Sequence, residues 1–176
     1  MQKGNDVLRK IAKEVPLDEI SGAKIKRVIK KLKQAVTENQ EAIAAAAPQI
    51  GESLRVFVVS DYIFASEAVN PDEEQKEKSD YGCLVFINPK IIKKSKEQKI
   101  MSEGCLSAEG LYGAVKRAEK IKVEACDENG KKFIRSGSGL FAQVIQHETD
   151  HLDGVLFTDK ATAVKKYEPR ARELPV

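Results

Sequence analysis

The chain has 176 residues, 41% hydrophobic and 32% charged, which indicates a single globular domain, 1–176, and excludes the disordered and fibrous classes. No apolar run approaches the roughly 18 residues that span a bilayer, and the N-terminus lacks a signal-peptide core, so we expect a cytoplasmic protein with no membrane partner. A net charge of +3, from 30 basic and 27 acidic residues, indicates a mixed surface and no specific nucleic-acid binding.

The first predicted elements are a short basic arm, 7–15, and an amphipathic helix. From Ser21, a plausible N-cap, apolar residues recur at helical spacing while Lys and Arg fill the opposite face, which we expect to be solvated. The apolar stripe is Ile25, Val28, Ile29, Leu32 and Val36. The small-residue run 42–51 favours tight packing against the core, although small side chains also let a backbone approach a ligand.

The middle of the chain predicts β-strands by its β-branched and aromatic content. The predicted extended segments are 54–60, 84–89, 90–99, 118–125 and 131–135. We expect an exposed loop over 61–82, a hairpin turn over 127–130 and a break in the sheet over 136–139.

A second helix is predicted near the C-terminus, up to a plausible stop at Gly154. The residues at helical spacing are Leu140, Val144, Ile145, Glu148 and Leu152. Together the elements predict an α+β fold. Mixed or antiparallel β-sheets would pack around the C-terminal helix, with the amphipathic helix at the N-terminal end.

The predicted C-terminal helix carries the only two histidines of the chain, His147 and His151. Residues four apart lie on one helix face, and the adjacent Glu148 could reach a water held between the two rings. His-Glu-x-x-His on a helix is typical of a catalytic zinc-type site with the glutamate as general base. The alternative is an exposed helix that carries two histidines by chance.

A catalytic site of this type needs a third protein ligand. Glu168 or Glu173 could provide it, as in zinc endopeptidases with a downstream glutamate. The alternative is a thiolate, because three cysteines cannot all pair and thiolate binds first-row metals. Cys83 opens an apolar run and Cys126 ends a strand, whereas Cys105 lies among polar and small residues. Residue type alone does not decide between these ligands.

Three motifs resemble those of the peptide deformylase family, in that family's order. Residues 103–107, Glu-Gly-Cys-Leu-Ser, resemble its second motif, and residues 146–152, Gln-His-Glu-Thr-Asp-His-Leu, its third. Residues 42–49 are similar to its first motif, Gly-apolar-Gly-apolar-Ala-Ala-x-Gln. The flanks 7–9 and 154–157 match as well, so the resemblance covers nearly the whole chain.

This resemblance implies a metal-dependent hydrolase that removes the formyl group from formyl-methionyl nascent polypeptides and releases formate. Cys105, His147 and His151 would hold one divalent ion, with Fe²⁺ expected and Zn²⁺, Ni²⁺ or Co²⁺ possible. Glu148 would act as general acid and base on the attacking water.

The resemblance also implies roles for the surrounding residues. The Gln49 side chain and the Leu106 backbone N–H would stabilise the oxyanion, and Glu103 would pair with Arg117 to support the ligands. The implied substrate-binding residues are Ile43, Ala44, Gly104, Leu140 and Val144.

Two features separate the chain from the family pattern. Ala42 and Ala44 replace both glycines of the first motif and disfavour positive φ, so the substrate strand would dock poorly if position 44 required such a backbone. Glu109 places an extra charge where the cleft is expected.

Other functions stay open at this point. One is a zinc endopeptidase of the His-Glu-x-x-His type, and another is a catalytically inactive deformylase-like binding module. Transient ribosome association through the basic tail, 160–176, is a further hypothesis, with a solvated terminus as its alternative.

Overall fold

The computed structural model describes residues 1–2, 4–39, 41–65 and 81–166. The helices in these ranges are α1 (Ala23–Glu38), α2 (Tyr62–Ala65), α3 (Gly139–Leu152) and α4 (Phe157–Lys160). The strands are β1 (Ala44–Ala46), β2 (Val56–Ser60), β3 (Cys83–Lys94), β4 (Gln98–Gly104), β5 (Leu111–Ala118), β6 (Lys120–Cys126), β7 (Lys132–Ser138) and β8 (Val164–Lys166). Short 3₁₀ helices occupy Asp6–Arg9, Leu17–Glu19, Ala47–Ile50 and Leu106–Ala108.

The described strands form two antiparallel sheets, which confirms the predicted α+β class. The larger sheet has the order β1-β2-β3-β6-β7, and the smaller has the order β4-β5-β8. β1 and β4 are therefore edge strands, one in each sheet. No helix in the described part of the chain is long and apolar enough to span a bilayer.

The two largest core clusters lie on either side of the larger sheet, and a smaller one of Ala108, Val115 and Phe157 lies at the smaller sheet. Because successive side chains of a strand point to opposite faces, Phe57 and Val59 of β2 pack on the side of α3, whereas Val56 and Val58 pack on the side of α1. The apolar stripe of α1 is buried, with every member at most 3% exposed. Burial of this stripe is the main contribution of α1 to the stability of the fold. Each fully buried large aliphatic side chain contributes roughly 1.5–3 kcal/mol.

The predicted N-cap at Ser21 is wrong, because the cap residue of α1 is Gly22, which offers no side-chain hydrogen bond. The preceding 3₁₀ turn brings the Glu19 carbonyl against this position, where it accepts from the Gly22 N–H at 2.8 Å. A Cβ on residue 22 would lie 2.9 Å from that oxygen, so the close approach favours glycine.

The two predicted extended segments 84–89 and 90–99 belong largely to one strand, β3. Its ladder with β6 shifts register between Ile87 and Lys90. Asn88 has φ +50 there, and its side chain bonds the N–H and C=O of Val15 at 2.8 and 2.7 Å. The irregularity is thus a bulge that accommodates Pro89, which lacks an N–H, without ending the strand.

The structure of residues 111–139 differs more from the sequence prediction. β5 was not predicted, and the predicted sheet break over 136–139 is wrong, because β7 continues to Ser138 and α3 follows at once. The hairpin turn is present, with the Gly130 N–H donating to the Asp127 carbonyl at 3.0 Å. The stop at Gly154 is also present, with φ +74.

Candidate metal centre and substrate cleft

Three side chains with metal-binding atoms converge at one end of α3. The residues are Cys105, His147 and His151, and each offers one ligand atom within 4.8 Å of the other two. This is the only such cluster among the residues that the structure describes. The Cys105 Sγ is 3.2 Å from the His151 Nε2. A tetrahedral metal with thiolate and imidazole ligands has ligand–ligand edges of about 3.5 Å, so the three positions fit one ion.

Two local structures place the three ligands. The two histidines lie four apart on α3 with ring centroids 4.9 Å apart, so both rings face the same side of the helix. Cys105 directly follows edge strand β4, and the Ser107 N–H points at its sulfur over 3.4 Å. The candidate centre therefore joins the smaller sheet to the helix that packs on the larger one.

Two further polar side chains of the predicted set reach this centre. Gln49 donates from Nε2 to the Cys105 sulfur at 3.4 Å, while its Oε1 accepts from the Ala46 N–H at 2.7 Å, which fixes the orientation of the amide. Glu148 is 4% exposed, and its Oε2 has no hydrogen-bond partner in the described part of the chain. A buried polar atom in that state indicates a functional role, because such groups are nearly always paired.

Behind the histidines lies a buried ionic network. Glu103 accepts from the Arg117 Nε and Nη2 at 2.7 and 2.8 Å, and its second oxygen is 2.9 Å from the His147 Nδ1. Arg117 also donates to Asp150 at 2.6 Å, and Asp150 accepts from Lys160 at 2.6 Å. Since the Nδ1 of His147 is held by a carboxylate, its Nε2 is the nitrogen left for a metal.

The charges of this network shift the pKa values of the site. Burial disfavours ionised Glu103, but hydrogen bonds from Arg117 and His147 outweigh it and lower the Glu103 pKa to about 2. Burial lowers the pKa of His151 to about 3, and the charge on His147 adds to that effect. Burial likewise opposes protonation of His147, but hydrogen bonds to Cys105 and Glu103 raise its pKa to about 10 without a metal. Burial raises the pKa of Glu148 to about 7.

Two buried amides anchor α3 to the smaller sheet. Gln146 accepts from the Ala118 N–H at 3.1 Å and donates to the Ala118 carbonyl at 3.0 Å. Gln143 donates to the Ser102 carbonyl at 2.8 Å. At the C-terminal end, the Val155 N–H donates to the Asp150 carbonyl at 2.9 Å beside left-handed Gly154, which closes the helix in a Schellman motif.

A cleft of about 520 Å³ opens in front of the candidate centre. All five residues predicted to bind substrate line it, namely Ile43, Ala44, Gly104, Leu140 and Val144. The cleft is also lined by Gln49, Cys105, Leu106, Glu109, His147 and Glu148. The cleft thus runs between the two edge strands, β1 and β4, over an apolar wall from α3.

Backbone groups of β1 face this cleft. The Ile43 carbonyl accepts from the Ser60 N–H of β2 at 2.9 Å, so this carbonyl points toward the sheet, although Ile43 also lines the cleft. In an antiparallel pair of strands, residues that bond to the partner strand alternate with residues whose backbone groups point away from it. Ala44, the next residue, therefore directs its N–H and C=O away from β2. Neither Ala42 nor Ala44 has positive φ, so the alanines that replace the motif glycines lie in unstrained backbone.

The other predicted ligands do not join the centre. Cys83 and Cys126 pack in the core layer on the α1 side of the larger sheet. Glu168 and Glu173 lie outside the described residues. Sequence reasoning assigned no role to Asp150, the second carboxylate on Arg117. Its position three residues after His147, one helical turn along the same face, is a signal that could have identified it.

The chain is similar throughout to one protein family. A family model described as polypeptide deformylase matches residues 1–167. The chain is 36% identical over 161 residues to the chloroplastic peptide deformylase 1A of Solanum lycopersicum, covering 91% of this chain and 58% of that protein. It is 40% identical over 155 residues to peptide deformylase 1 of Clostridium perfringens, covering 88% of this chain and 91% of that protein.

Solved structures give the same result. A crystal structure of a peptide deformylase from Legionella pneumophila superposes with a TM-score of 0.75 at 34% identity, covering 92% of this chain and 84% of that one. A structure from Synechococcus elongatus, determined in complex with actinonin, gives a TM-score of 0.72 at 34% identity and covers 92% of this chain and 77% of that one.

Proposed function

Because the chain belongs to the polypeptide deformylase family, enzymes that hydrolyse the N-formyl group of nascent peptides, we propose how its own residues perform that reaction. The observation that carries the proposal is the convergence of Cys105, His147 and His151 beside buried Glu148, whose Oε2 has no hydrogen-bond partner among the described residues. Formate and a peptide with a free methionine amine are the products.

Cys105, His147 and His151 would hold one divalent metal. Three protein ligands leave a coordination position open, as catalytic sites require, whereas structural zinc sites use four. One thiolate with two imidazoles suits Fe²⁺, and also Zn²⁺, Ni²⁺ or Co²⁺. When bound, the metal supplies Lewis acidity, which makes hydroxide accessible near neutral pH.

Glu148 handles the proton of the reaction. Its carboxylate accepts a proton from the water that attacks the formyl carbon and then delivers that proton to the amine nitrogen as the C–N bond breaks. The water oxygen remains in formate. Glu148 is buried and its Oε2 has no partner in the part of the chain that the structure describes, so that this oxygen is available for the transfer.

Gln49 and Leu106 stabilise the negative charge that develops on the formyl oxygen. Because the Gln49 Oε1 is engaged by Ala46, its Nε2 must point into the site. The Leu106 N–H lies next to Cys105 at the same cleft wall and completes the pair of donors. A single donor of this kind typically lowers the barrier by about 3 kcal/mol.

The peptide backbone binds as an added strand between the two sheet edges. Ala44 offers an N–H and a C=O on one side, and Gly104 lies at the end of β4 on the other. Extended peptides pair with such exposed edges through main-chain hydrogen bonds. The methionine side chain enters the apolar wall formed by Ile43, Leu140 and Val144.

Neither alternative function is favoured. A zinc endopeptidase would require Glu168 or Glu173 as its third ligand, whereas Cys105 already completes a three-ligand set. A non-catalytic binding module gives no reason for a buried carboxylate without a partner next to that set.

Formate release from formyl-Met-Ala-Ser, with iron or nickel supplied anaerobically, tests the proposal. We expect wild type to release formate, and Glu148→Gln to be slower by about 10²–10⁴-fold while keeping its metal. Cys105→Ala should lose its metal, whereas Glu168→Ala should retain it. No formate from metal-loaded wild type contradicts the activity, and metal loss in Glu168→Ala alone favours the endopeptidase.

Three further features extend this proposal. Residues 1–176 form one hydrolase domain, and the enzyme works in the cytoplasm, where its three cysteines stay reduced. Ribosome association through the basic tail stays a prediction. Of that tail, Lys160 is engaged by Asp150, and residues 167–176 lie outside the described ranges.

A further inference from the structure

The outer face of α1 carries a concentration of positive charge that the activity does not use. Six basic residues and one acid, Glu38, give this helix a net charge of +5, whereas the whole chain carries +3. The basic residues are Lys24, Lys26, Arg27, Lys30, Lys31 and Lys33. All are exposed except half-buried Lys33.

These charges do not stabilise the helix that carries them. They form two rows at i, i+3 and i+4 spacing, Lys26–Lys30–Lys33 and Lys24–Arg27–Lys31, where like charges repel. Lys24 and Lys26 lie near the N-terminus, where the helix dipole favours acids, and the first turn contains none. In the described part of the chain, Lys33 alone of the six forms an ion pair, with Glu128 at 2.9 Å. Fold stability therefore gives no reason for the pattern.

The surroundings of the rows indicate the chemistry of a partner. A groove of about 320 Å³ runs along the first row, lined by Lys26, Ile29, Lys30, Lys33, Glu128 and Asn129. The apolar stripe of α1 is fully used by the core, so no apolar face remains to enter a membrane surface. The exposed face also lacks the aromatic or large aliphatic anchors of a protein interface.

We propose that the outer face of α1 binds the phosphate backbone of RNA. Rows of cations with a neighbouring groove are the electrostatic footprint of a phosphate polymer. The choice of RNA over DNA rests on the proposed function, because nascent peptides emerge beside RNA. The exposure of this face agrees with the sequence prediction that it is solvated, and the proposal adds a ligand to it.

The position of the face is compatible with catalysis. The cleft rim begins at Asn39, just after α1 ends, whereas the charges from Lys24 to Lys31 lie about 12–22 Å back along the helix at 1.5 Å per residue. RNA on this face leaves the cleft open to a peptide.

A binding titration with a fluorescein-labelled RNA hairpin, read by anisotropy over a salt series, tests the proposal on the metal-loaded enzyme. The test variant is Lys26→Gln, Arg27→Gln, Lys30→Gln and Lys31→Gln combined, because glutamine keeps helix propensity. The matched control removes four exposed, scattered lysines, Lys10→Gln, Lys94→Gln, Lys116→Gln and Lys132→Gln. Both variants lower the net charge equally.

We expect the α1 variant to bind RNA at least about tenfold more weakly. The slope of log K against log salt concentration should decrease by up to about 3–4, at about 0.7–0.9 per lost phosphate contact. The control should change affinity by less than about threefold. Formate release should stay at the wild-type level in both. Equal losses in the two variants, no RNA binding by wild type at low salt, or tighter α1-dependent binding to anionic phosphatidylserine vesicles than to RNA would each overturn the proposal.

RNA binding and formate release are measured separately, so the two proposals fail independently. Wild type that releases formate without binding RNA refutes only the α1 assignment. Wild type that binds RNA through α1 without releasing formate refutes only the activity.

Discussion

In the proposed mechanism, Gln49 divides a structural and a catalytic task between its two amide atoms. The Oε1 accepts from the Ala46 N–H, and the Nε2 faces the reaction site. Gln49→Glu keeps the acceptor and removes the donor. We expect its kcat for formate release to fall about 10²–10³-fold, because one oxyanion donor is lost.

The comparison with Gln49→Leu separates the two tasks. Leucine removes the acceptor too and leaves the Ala46 N–H buried without a partner, at a cost of about 1–3 kcal/mol. Urea unfolding should therefore show Gln49→Leu to be less stable than Gln49→Glu. A kcat that is unchanged in Gln49→Glu, with metal content equal to wild type, would exclude Gln49 from catalysis.

Arg117 holds the buried network together, because it is the cation between Glu103 and Asp150. The side chains of Arg117 and Glu103 are 3% and 2% exposed. Arg117→Met leaves buried Glu103 with His147 as its remaining described partner and without its cation, so we expect a loss of about 3–5 kcal/mol in the free energy of unfolding. Urea unfolding of the metal-free protein measures this without a contribution from the metal.

A surface pair provides the control for Arg117. Arg9 pairs with Asp159, but these side chains are 42% and 38% exposed. Arg9→Met should therefore cost at most about 1 kcal/mol. Similar losses in the two variants would mean that the Arg117 network contributes no more than a surface ion pair.

At this scale, the sequence predicts residues whose type and spacing carry the chemistry. His147, Glu148 and His151 are separated by fixed helical intervals, so their convergence could be inferred locally. Asp150 and Arg117 lie 33 positions apart, and only the packing of α3 against β5 brings them together. Such a long-range pairing has no local signal.

At the scale of elements, the sequence predicts the presence of a strand better than it predicts where the strand begins and ends. The signal of β2 is strong because both of its faces are buried, whereas β5 has exposed and glycine positions that weaken the pattern. Gly137 and Gly139 suggested a break, yet Gly137 lies within β7. A Cβ on residue 137 would be 2.2 Å from the Phe141 ring, so this glycine makes room for a core side chain of α3.

That contact leads to a prediction for the junction of β7 and α3. Gly137→Ala overpacks the core against Phe141, which is 3% exposed, and should cost about 1–3 kcal/mol of stability. A Tm decrease of about 5 °C in a thermal melt would correspond to that loss. Gly4→Ala is the control, because nothing lies within 4 Å of its new Cβ, and its Tm should not change. Equal Tm values for the two variants would contradict the packing argument.

At the scale of the whole molecule, the candidate centre connects the smaller sheet to α3, next to the hydrogen bonds that Gln143, Gln146 and Asp150 make to the same sheet. Cys105 follows the edge of the smaller sheet, whereas His147 and His151 belong to the helix on the larger sheet. A metal that binds the folded chain thus stabilises the packing of one sheet against the other. At a thousandfold excess of free metal over its Kd, the stabilisation is about 4 kcal/mol.

Removing the metal should therefore lower the Tm of the entire protein by about 10 °C, at 2–4 °C per kcal/mol for a chain of this size. The measurement compares metal-loaded and chelator-treated samples by calorimetry. Cys105→Ser should lose most of this difference, because the ligand from the smaller sheet is gone. Cys126→Ser, a change at a buried thiol on the other face of the larger sheet, should keep the full difference whatever its own Tm. If Cys105→Ser responded to the chelator as strongly as wild type, the metal would not connect the two sheets through residue 105.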